Sequence, residues 1–376
     1  MRRLAFVVVT VLLVLGVVSV APATADDALV SARQHIFGAE NVDPQSGAVR
    51  SDRVILSWLS VGTLAASIRG HVVLLDSYIH KREDKPNYVP TTLDELVALD
   101  PSHLFIGHGH FDHADTAGEI AVRTGATVVG TGEHCAQARA QAEAYGGPDA
   151  AIDCRSMIPA GAKPGYRADS DRLLNGVGVT AIEHVHSAAE PPDPSRDPAN
   201  VVLPVPDPGS VLLHPPGPGA FAHSPEGDEG GSVLYQFRAR DFALSWHDSS
   251  GPLKEQAPGV FDRLRALPPT DVQAGAVLGF NQVTNGLRDP AMYVATLCPK
   301  IFIPLHHDFV AEYGSADDYE APMRRELAQY GASPRLRWLV DPHDYVRPEL
   351  MTFDLGARAW QVTGGHCDND SRYRTP

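Results

Sequence analysis

From position 104 the chain reads Leu-Phe-Ile-Gly-His-Gly-His-Phe-Asp-His-Ala-Asp, which places His108, His110, Asp112 and His113 within six residues, directly behind a short apolar run. The apolar run has the character of a buried strand, and the loop after it carries imidazoles and a carboxylate, donors that suit zinc. A helical pattern over 116–123 and a second apolar run over 126–130 follow. Strand, ligand loop, helix and strand make a βαβ unit, and such units collect chemistry at the carboxyl end of the first strand. The chain is thereby restricted to layered architectures with a metal-binding loop on one rim. A helix starting near Asp115 would also favour the ionised form of Asp112 through its N-terminal dipole.

Upstream, apolar runs at 54–59, 63–68 and 72–75 are separated by Gly62 and by Arg69-Gly70, the spacing of a strand meander. Asp76 ends the third run and either points toward the ligand loop or bonds backbone in a turn. A helix with a threonine cap and an acidic first turn is expected over 91–99. Another over 132–145 leads into a loop carrying Cys154.

The second half repeats this grammar. A strand over 177–182 runs into His184-Val-His186-Ser187, and a hairpin over 232–237 and 242–246 ends in His247-Asp248-Ser-Ser-Gly251. A short strand over 301–303 precedes Pro304-Leu-His306-His307-Asp308. Helices are expected over 260–267, 289–297 and 321–330, the last with Pro322 in its first turn, with a strand over 272–278 and late runs at 336–339 and 349–355. His184 and His186 share a face of an extended chain, so either one can face the site while the other is a hydrogen-bonded core histidine. His306 and His307 pose the same choice. Residues 188–231 are dense in Pro, Gly and Asp and include His214 and His223. A stretch of that length without periodicity is a functional lid or a surface insertion.

The N-terminus adds Arg2-Arg3, an almost wholly apolar run from Ala5 to Val20, and the small residues Ala23-Thr24-Ala25. Residues 1–25 therefore read as a cleaved export signal, of either the general or the twin-arginine type, leaving 26–376 as one domain with the 188–231 insertion. An uncleaved anchor is the weaker alternative, since the run is marginal for a bilayer that wants about 20 residues. The expected location is secreted or cell-envelope, with no stable membrane association after cleavage. Loss of Arg2 and Arg3 takes the formal charge from −15 to −17. Such a balance disfavours nucleic acid or an anionic membrane as a partner held by long-range attraction. The four cysteines form no C-x-x-C pair. In an oxidising compartment they suit two disulfides. Cys135–Cys154 would close a local loop and Cys298–Cys367 would tie down the C-terminus; four buried thiols are the alternative.

Ordered histidines and aspartates at the ends of successive strands resemble the metallo-β-lactamase superfamily over roughly residues 50–350. His108-x-His110-x-Asp112-His113 is the specific part of the match. The resemblance implies an α/β four-layer αββα sandwich, two mixed sheets face to face with helices outside. It implies one metal on His108, His110 and His186, a second on Asp112, His113 and His306, and Asp248 bridging both. Asp112 would also orient or deprotonate the nucleophile. The family usually has Gly before the bridging aspartate, whereas this chain has His247, which would crowd the turn. Two dications a few Å apart lower the pKa of a shared water and so supply hydroxide at neutral pH. Two zinc ions suit the donors, as do iron or manganese.

A bridging carboxylate is absent from the true β-lactamases of the superfamily and general among its phosphodiesterases, lactonases and thioesterases. The expected function is thus an exported dinuclear hydrolase acting on a small-molecule ester, lactone or phosphodiester. An exported β-lactamase is the alternative enzyme, and a non-catalytic metal-binding protein on the same fold is the alternative outside enzymes.

Overall fold

Asp26 caps the first described helix, its side chain accepting from Ala28 N, and α1 (Asp27–Phe37) then buries Ala32, Ile36 and Phe37. The computed structural model describes residues 26–79, 91–188, 191–196, 229–279, 285–308, 317–357 and 366–367. Residues 1–25, most of the 188–231 insertion, and with it His214 and His223, lie outside the described residues.

The expected meander forms as β1 (Arg53–Ser60), β2 (Thr63–Ile68) and β3 (His71–Leu75), paired antiparallel. Thr92 caps α2 (Leu93–Ala98), accepting from Glu95 N. Then come β4 (His103–Phe105), the one-turn α3 (Phe111–Ala114), α4 (Ala117–Thr124), β5 (Thr127–Thr131), α5 (Gly132–Gly146) and β6 (Cys154–Ile158). Strands β3 to β6 pair in parallel, as their helical crossovers require. With β15 (Thr352–Asp354) on the far edge, they complete a seven-stranded sheet.

The second sheet follows the same plan. Strands β7 (Arg167–Leu174), β8 (Val177–His184), β9 (Ser232–Ala239) and β10 (Phe242–His247) pair antiparallel. After α6 (Leu253–Gln256) and α7 (Gly259–Arg265), β11 (Val272–Ala276), α8 (Arg288–Leu297), β12 (Ile301–Leu305), α9 (Asp317–Gln329), β13 (Ala332–Ser333) and β14 (Arg335–Leu336) follow. Parallel pairing of β10, β11, β12 and β14 completes the seven strands. A separate pair joins β13 to β16 (His366–Cys367).

The burial pattern follows the strand period of two. Val54, Leu56 and Trp58 of β1 face Val179, Tyr235, Phe237, Trp246 and Ile303 of the other sheet in one core. Ile55 and Leu59, on the opposite side of β1, pack with Ile36, Ile120 and Ala138 of the outer helices. Outside the second sheet, Ile182 and Leu234 pack with Phe261, Leu264 and Met292, while Phe302 packs with Val294 and Met323. Two mixed sheets face to face between helical layers are the αββα sandwich that the metallo-β-lactamase resemblance implies.

Several local expectations need correction. Cys154 begins β6 rather than sitting in a loop. Helix α9 starts at Asp317, so Pro322 lies inside it; the acidic residues Asp317, Asp318 and Glu320 favour extension past the proline, which removes a single backbone donor. Strand β7 was not expected, because its Arg-Ala-Asp-Ser-Asp-Arg sequence is polar on both faces. It occupies a sheet edge, where charged side chains discourage pairing with another chain. Near the ligand loop the helical turn begins at Phe111, which places Asp112 in the first turn of α3.

Both expected disulfides are present. Cys135–Cys154 joins α5 to β6 across 19 residues, and Cys298–Cys367 joins the end of α8 to β16 across 69. Loop-closure entropy gives about 3 kcal/mol for the shorter loop and about 4 kcal/mol for the longer. Urea unfolding of Cys135→Ser/Cys154→Ser and Cys298→Ser/Cys367→Ser is expected to show losses of that order in each. A double variant as stable as wild type would show that its bridge constrains little.

Candidate metal centre

The chain leaves β4 through Gly107, whose lack of a side chain is a steric requirement: a Cβ there would collide with the Asp248 carboxylate. Gly107 N donates to Asp76 Oδ1 at 3.0 Å and its carbonyl accepts from Val233 N at 2.8 Å, which ties the loop to both sheets. Two residues on, Gly109 N donates to Glu229 O at 2.7 Å, and Gly109 O accepts from Gln137 Nε2 at 2.6 Å. Backbone on either side of His108 is thus held before any ligand is considered.

Three ring nitrogens then converge. His108 Nε2 lies 3.1 Å from His110 Nδ1 and 3.2 Å from His186 Nε2. A tetrahedral ion with bonds of 2.0–2.1 Å has ligand-to-ligand edges of about 3.3 Å. Burial lowers the pKa of all three imidazoles, that of His108 to about 3, so at neutral pH they offer lone pairs. Lone pairs aimed at one another repel unless a cation lies between them.

A second triangle adjoins the first. His113 Nε2 is 3.3 Å from His306 Nε2, and Asp112 Oδ2 is 3.6 Å from each of those nitrogens. Burial works against the Asp112 carboxylate, but His113 and His306 outweigh it and hold its pKa well below the usual range. His306 follows β12 with φ 66°, a left-handed conformation that costs a non-glycine residue about 1–2 kcal/mol. The His113 and His108 rings are tilted against each other with centroids 4.0 Å apart, which places the triangles side by side.

Behind the triangles sit two fully buried carboxylates. Asp248 Oδ2 contacts the outward nitrogens of both groups, His108 Nδ1 at 2.7 Å and His113 Nδ1 at 3.2 Å. Asp76 Oδ2 accepts from His113 Nδ1 at 2.8 Å. A ring that gives its Nδ1 proton to a carboxylate presents an unprotonated Nε2 on its far side. Burial raises Asp76, reinforced by the charge on Asp248, whereas His108 and His113 overcome burial to hold Asp248 low. Burial disfavours the charged form of His113, yet Asp112, Asp248 and Asp76 drive its pKa well above the usual value. The three carboxylates thus favour positive charge at the position of His113. Asp248 Oδ1 is buried with no hydrogen-bond partner among the described residues. Converging lone pairs, excess negative charge and a bare carboxylate oxygen all fit divalent ions.

Six of the seven residues singled out in the sequence form the two triangles; Asp248, expected to bridge two ions, instead has Oδ2 on the outward Nδ1 atoms of His108 and His113. Asp76, for which a role at the site was one of two sequence readings, supports His113 and is the contributor the motif alone did not assign. Both ambiguous pairs separate cleanly. His184 points into the helical layer, its Nδ1 2.9 Å from Tyr293 Oη. His307 stacks on Trp338, with centroids 5.0 Å apart, and meets Trp58 edge-on at 4.7 Å. His247 does not crowd the turn: its ring lies against Gly275, where a side chain would clash, with Nδ1 2.9 Å from Ser249 O and Nε2 2.8 Å from Gln273 Nε2.

The insertion is fixed at both ends beside this centre. Ser187 N donates to Ser249 Oγ at 2.9 Å, and Asp193 bonds the buried Arg288 at 2.6 Å. Arg288 also binds Glu255 at 2.7 and 2.8 Å, and Asp289. At the returning end, His134 Nε2 contacts the carbonyls of Glu229 and Gly231 at 3.0 and 3.1 Å.

Burial lowers His184 to about 3 and both His247 and His307 to about 4. In the unfolded chain such groups titrate near 6.5, so below that pH the unfolded state binds more protons and stability falls. The fall continues until the folded-state values are reached and amounts to about 2 kcal/mol per histidine between pH 6.5 and 5. His307→Phe, which keeps the ring stack, is expected to flatten the pH dependence of urea unfolding over that window. A slope equal to wild type would mean that His307 takes up its proton while folded.

No family model matches this chain. A UPF0173 metal-dependent hydrolase of Pyrobaculum neutrophilum is 31% identical over 78 residues, covering 21% of this chain and 32% of that protein, so the chain spans about a third of its length. Among solved structures, Igni18, a metallo hydrolase from Ignicoccus hospitalis, is 13% identical with a TM-score of 0.49, covering 77% of this chain and 96% of that one. YhfI from Bacillus subtilis, a metallo-β-lactamase fold protein, is 9% identical with a TM-score of 0.42, covering 77% and 96%. These proteins are metal-dependent hydrolases or share the metallo-β-lactamase fold, and this chain resembles that superfamily through its own signature and sandwich.

Proposed function

We propose that this protein is an exported hydrolase that binds two divalent metal ions, zinc first among them, and cleaves a small ester, lactone or phosphodiester. The observation that carries the reading is the pair of adjoining donor triangles, with nitrogens 3.1–3.3 Å apart and a carboxylate oxygen at 3.6 Å. His108, His110 and His186 would hold one ion, and Asp112, His113 and His306 the other. Asp248 backs both groups through the Nδ1 atoms of His108 and His113, and its second oxygen is buried without a hydrogen-bond partner among the described residues. Divalent ions there supply Lewis acidity and a water of lowered pKa.

The remaining work falls to the chain. Asp248 Oδ2 holds the Nδ1 proton of His108, and Asp76 Oδ2 that of His113, which fixes the tautomers. Asp112 is partly accessible, at 18% for its side chain, and its ionised carboxylate can accept a hydrogen bond from an attacking water and orient it. Burial of His108, His113 and Asp248 to 1% exposure keeps bulk water from competing behind the donors.

Export rests on the basic and apolar N-terminal segment, and the two disulfides suit an oxidising compartment. Among the described residues no helix is long and apolar enough to cross a membrane.

Elemental analysis of protein prepared with excess zinc is expected to give two equivalents per chain. Activity in a screen of lactones, phosphodiesters, thioesters and β-lactams should disappear on chelation. Fewer than one ion per chain would end the dinuclear reading. Asp248→Ala should lower metal content while circular dichroism stays native; unchanged stoichiometry would remove Asp248 from the centre. Gly107→Ala, which displaces the Asp248 carboxylate, is expected to act in the same direction, and full metal content in that variant would contradict the packing described.

A further inference from the structure

The turn between β1 and β2 brings strained backbone up against the second triangle. Val61 has φ 50° and His306 φ 66°, both in the left-handed region, and for a β-branched residue such as Val61 this is a genuine outlier. The two strained residues grip each other: His306 N donates to Val61 O at 2.9 Å. The same carbonyl accepts from Trp58 Nε1 at 2.9 Å. On the other side of the residue, Val61 N donates to Asp308 Oδ2 at 2.8 Å, with Ser60 Oγ 3.4 Å from that oxygen. Asp308 is 5% exposed, so this contact is made away from water. Gly62 follows and fits beneath the centre, where a Cβ would come within 2.8 Å of Asp76 Oδ2 and 2.9 Å of His113 Nδ1.

We propose that Asp308 is a positioning residue for the second triangle. By binding Val61 N it locks the turn, and the locked turn, through Val61 O, holds His306 in the conformation that aims Nε2 at His113 and Asp112. Unusual backbone persists when its surroundings over-determine it, and here one carboxylate oxygen binds the donor side of Val61 while His306 and Trp58 bind the acceptor side. The route from Asp308 to His306 runs through Val61, whose N binds Asp308 Oδ2 and whose O binds His306 N. The inference rests on the reading of that triangle as a metal site.

The test uses the full mature chain, stripped with chelator and titrated with zinc, comparing wild type, Asp308→Ala and Asp308→Asn. Asp308→Ala is expected to keep the first equivalent and bind the second at least about tenfold more weakly, the scale of lost support behind a ligand. Asp308→Asn keeps an oxygen that can accept from Val61 N and should stay close to wild type. Retention of the first equivalent separates this outcome from general unfolding; if Asp308→Ala does not fold, Asp308→Ser, too short to reach Val61 N, is read in its place. Equal second-site affinity in wild type and the alanine variant overturns the inference. Should wild type itself bind fewer than two ions, the metal reading has failed, and metal-free crystal structures decide the positioning role alone. His306 leaving positive φ and swinging away from His113 in the variant supports it, whereas an unmoved His306 overturns it.

Discussion

One carboxylate sits where the two sheets meet. Asp248 comes from the end of β10 in the second sheet, and its Oδ2 rests against the Nδ1 atoms of His108, in the loop after β4, and of His113, in α3. The contact has no room for slippage, because Gly107 and Gly62 approach so closely that neither position admits a side chain. The registry of one sheet on the other therefore sets the geometry of both donor triangles. The inter-sheet core of Trp58, Tyr235, Phe237 and Trp246 holds that registry with side chains that are essentially fully buried. Hydrophobic packing and donor placement are in this respect a single constraint.

Much of the layout was legible in the chain. The short apolar runs and the turn residues between them marked the meander and the hairpin, and the spacing of His108, His110, Asp112 and His113 marked the centre because dense polar donors behind an apolar strand are uncommon. What parity could not decide was which member of a histidine pair turns inward. His184 closes β8 and follows its alternation outward to Tyr293, whereas His186 lies past the strand end, where alternation no longer applies. His306 faces the donors because its backbone is left-handed, a property no side-chain pattern encodes, and His307 goes to the aromatic stack. Strand β7 escaped notice for the opposite reason: an edge strand with charges on both faces has no apolar rhythm to read.

The support behind the donors was less visible than the donors themselves. Asp76 follows an apolar run like many turn carboxylates, and only its bonds to His113 and Gly107 N, from a backbone at φ 58°, distinguish it. Asp308 and Ser249 likewise act through backbone contacts that join segments distant in sequence.

The anchoring of the insertion has an evolutionary side. Its departing end is pinned by Ser249 and Arg288, and its returning end is bonded to Gly109, between the first two signature histidines. Segments of different length and composition can be exchanged between those fixed points while the donor frame keeps its shape. Variation can then accumulate between the anchors without rebuilding the centre itself.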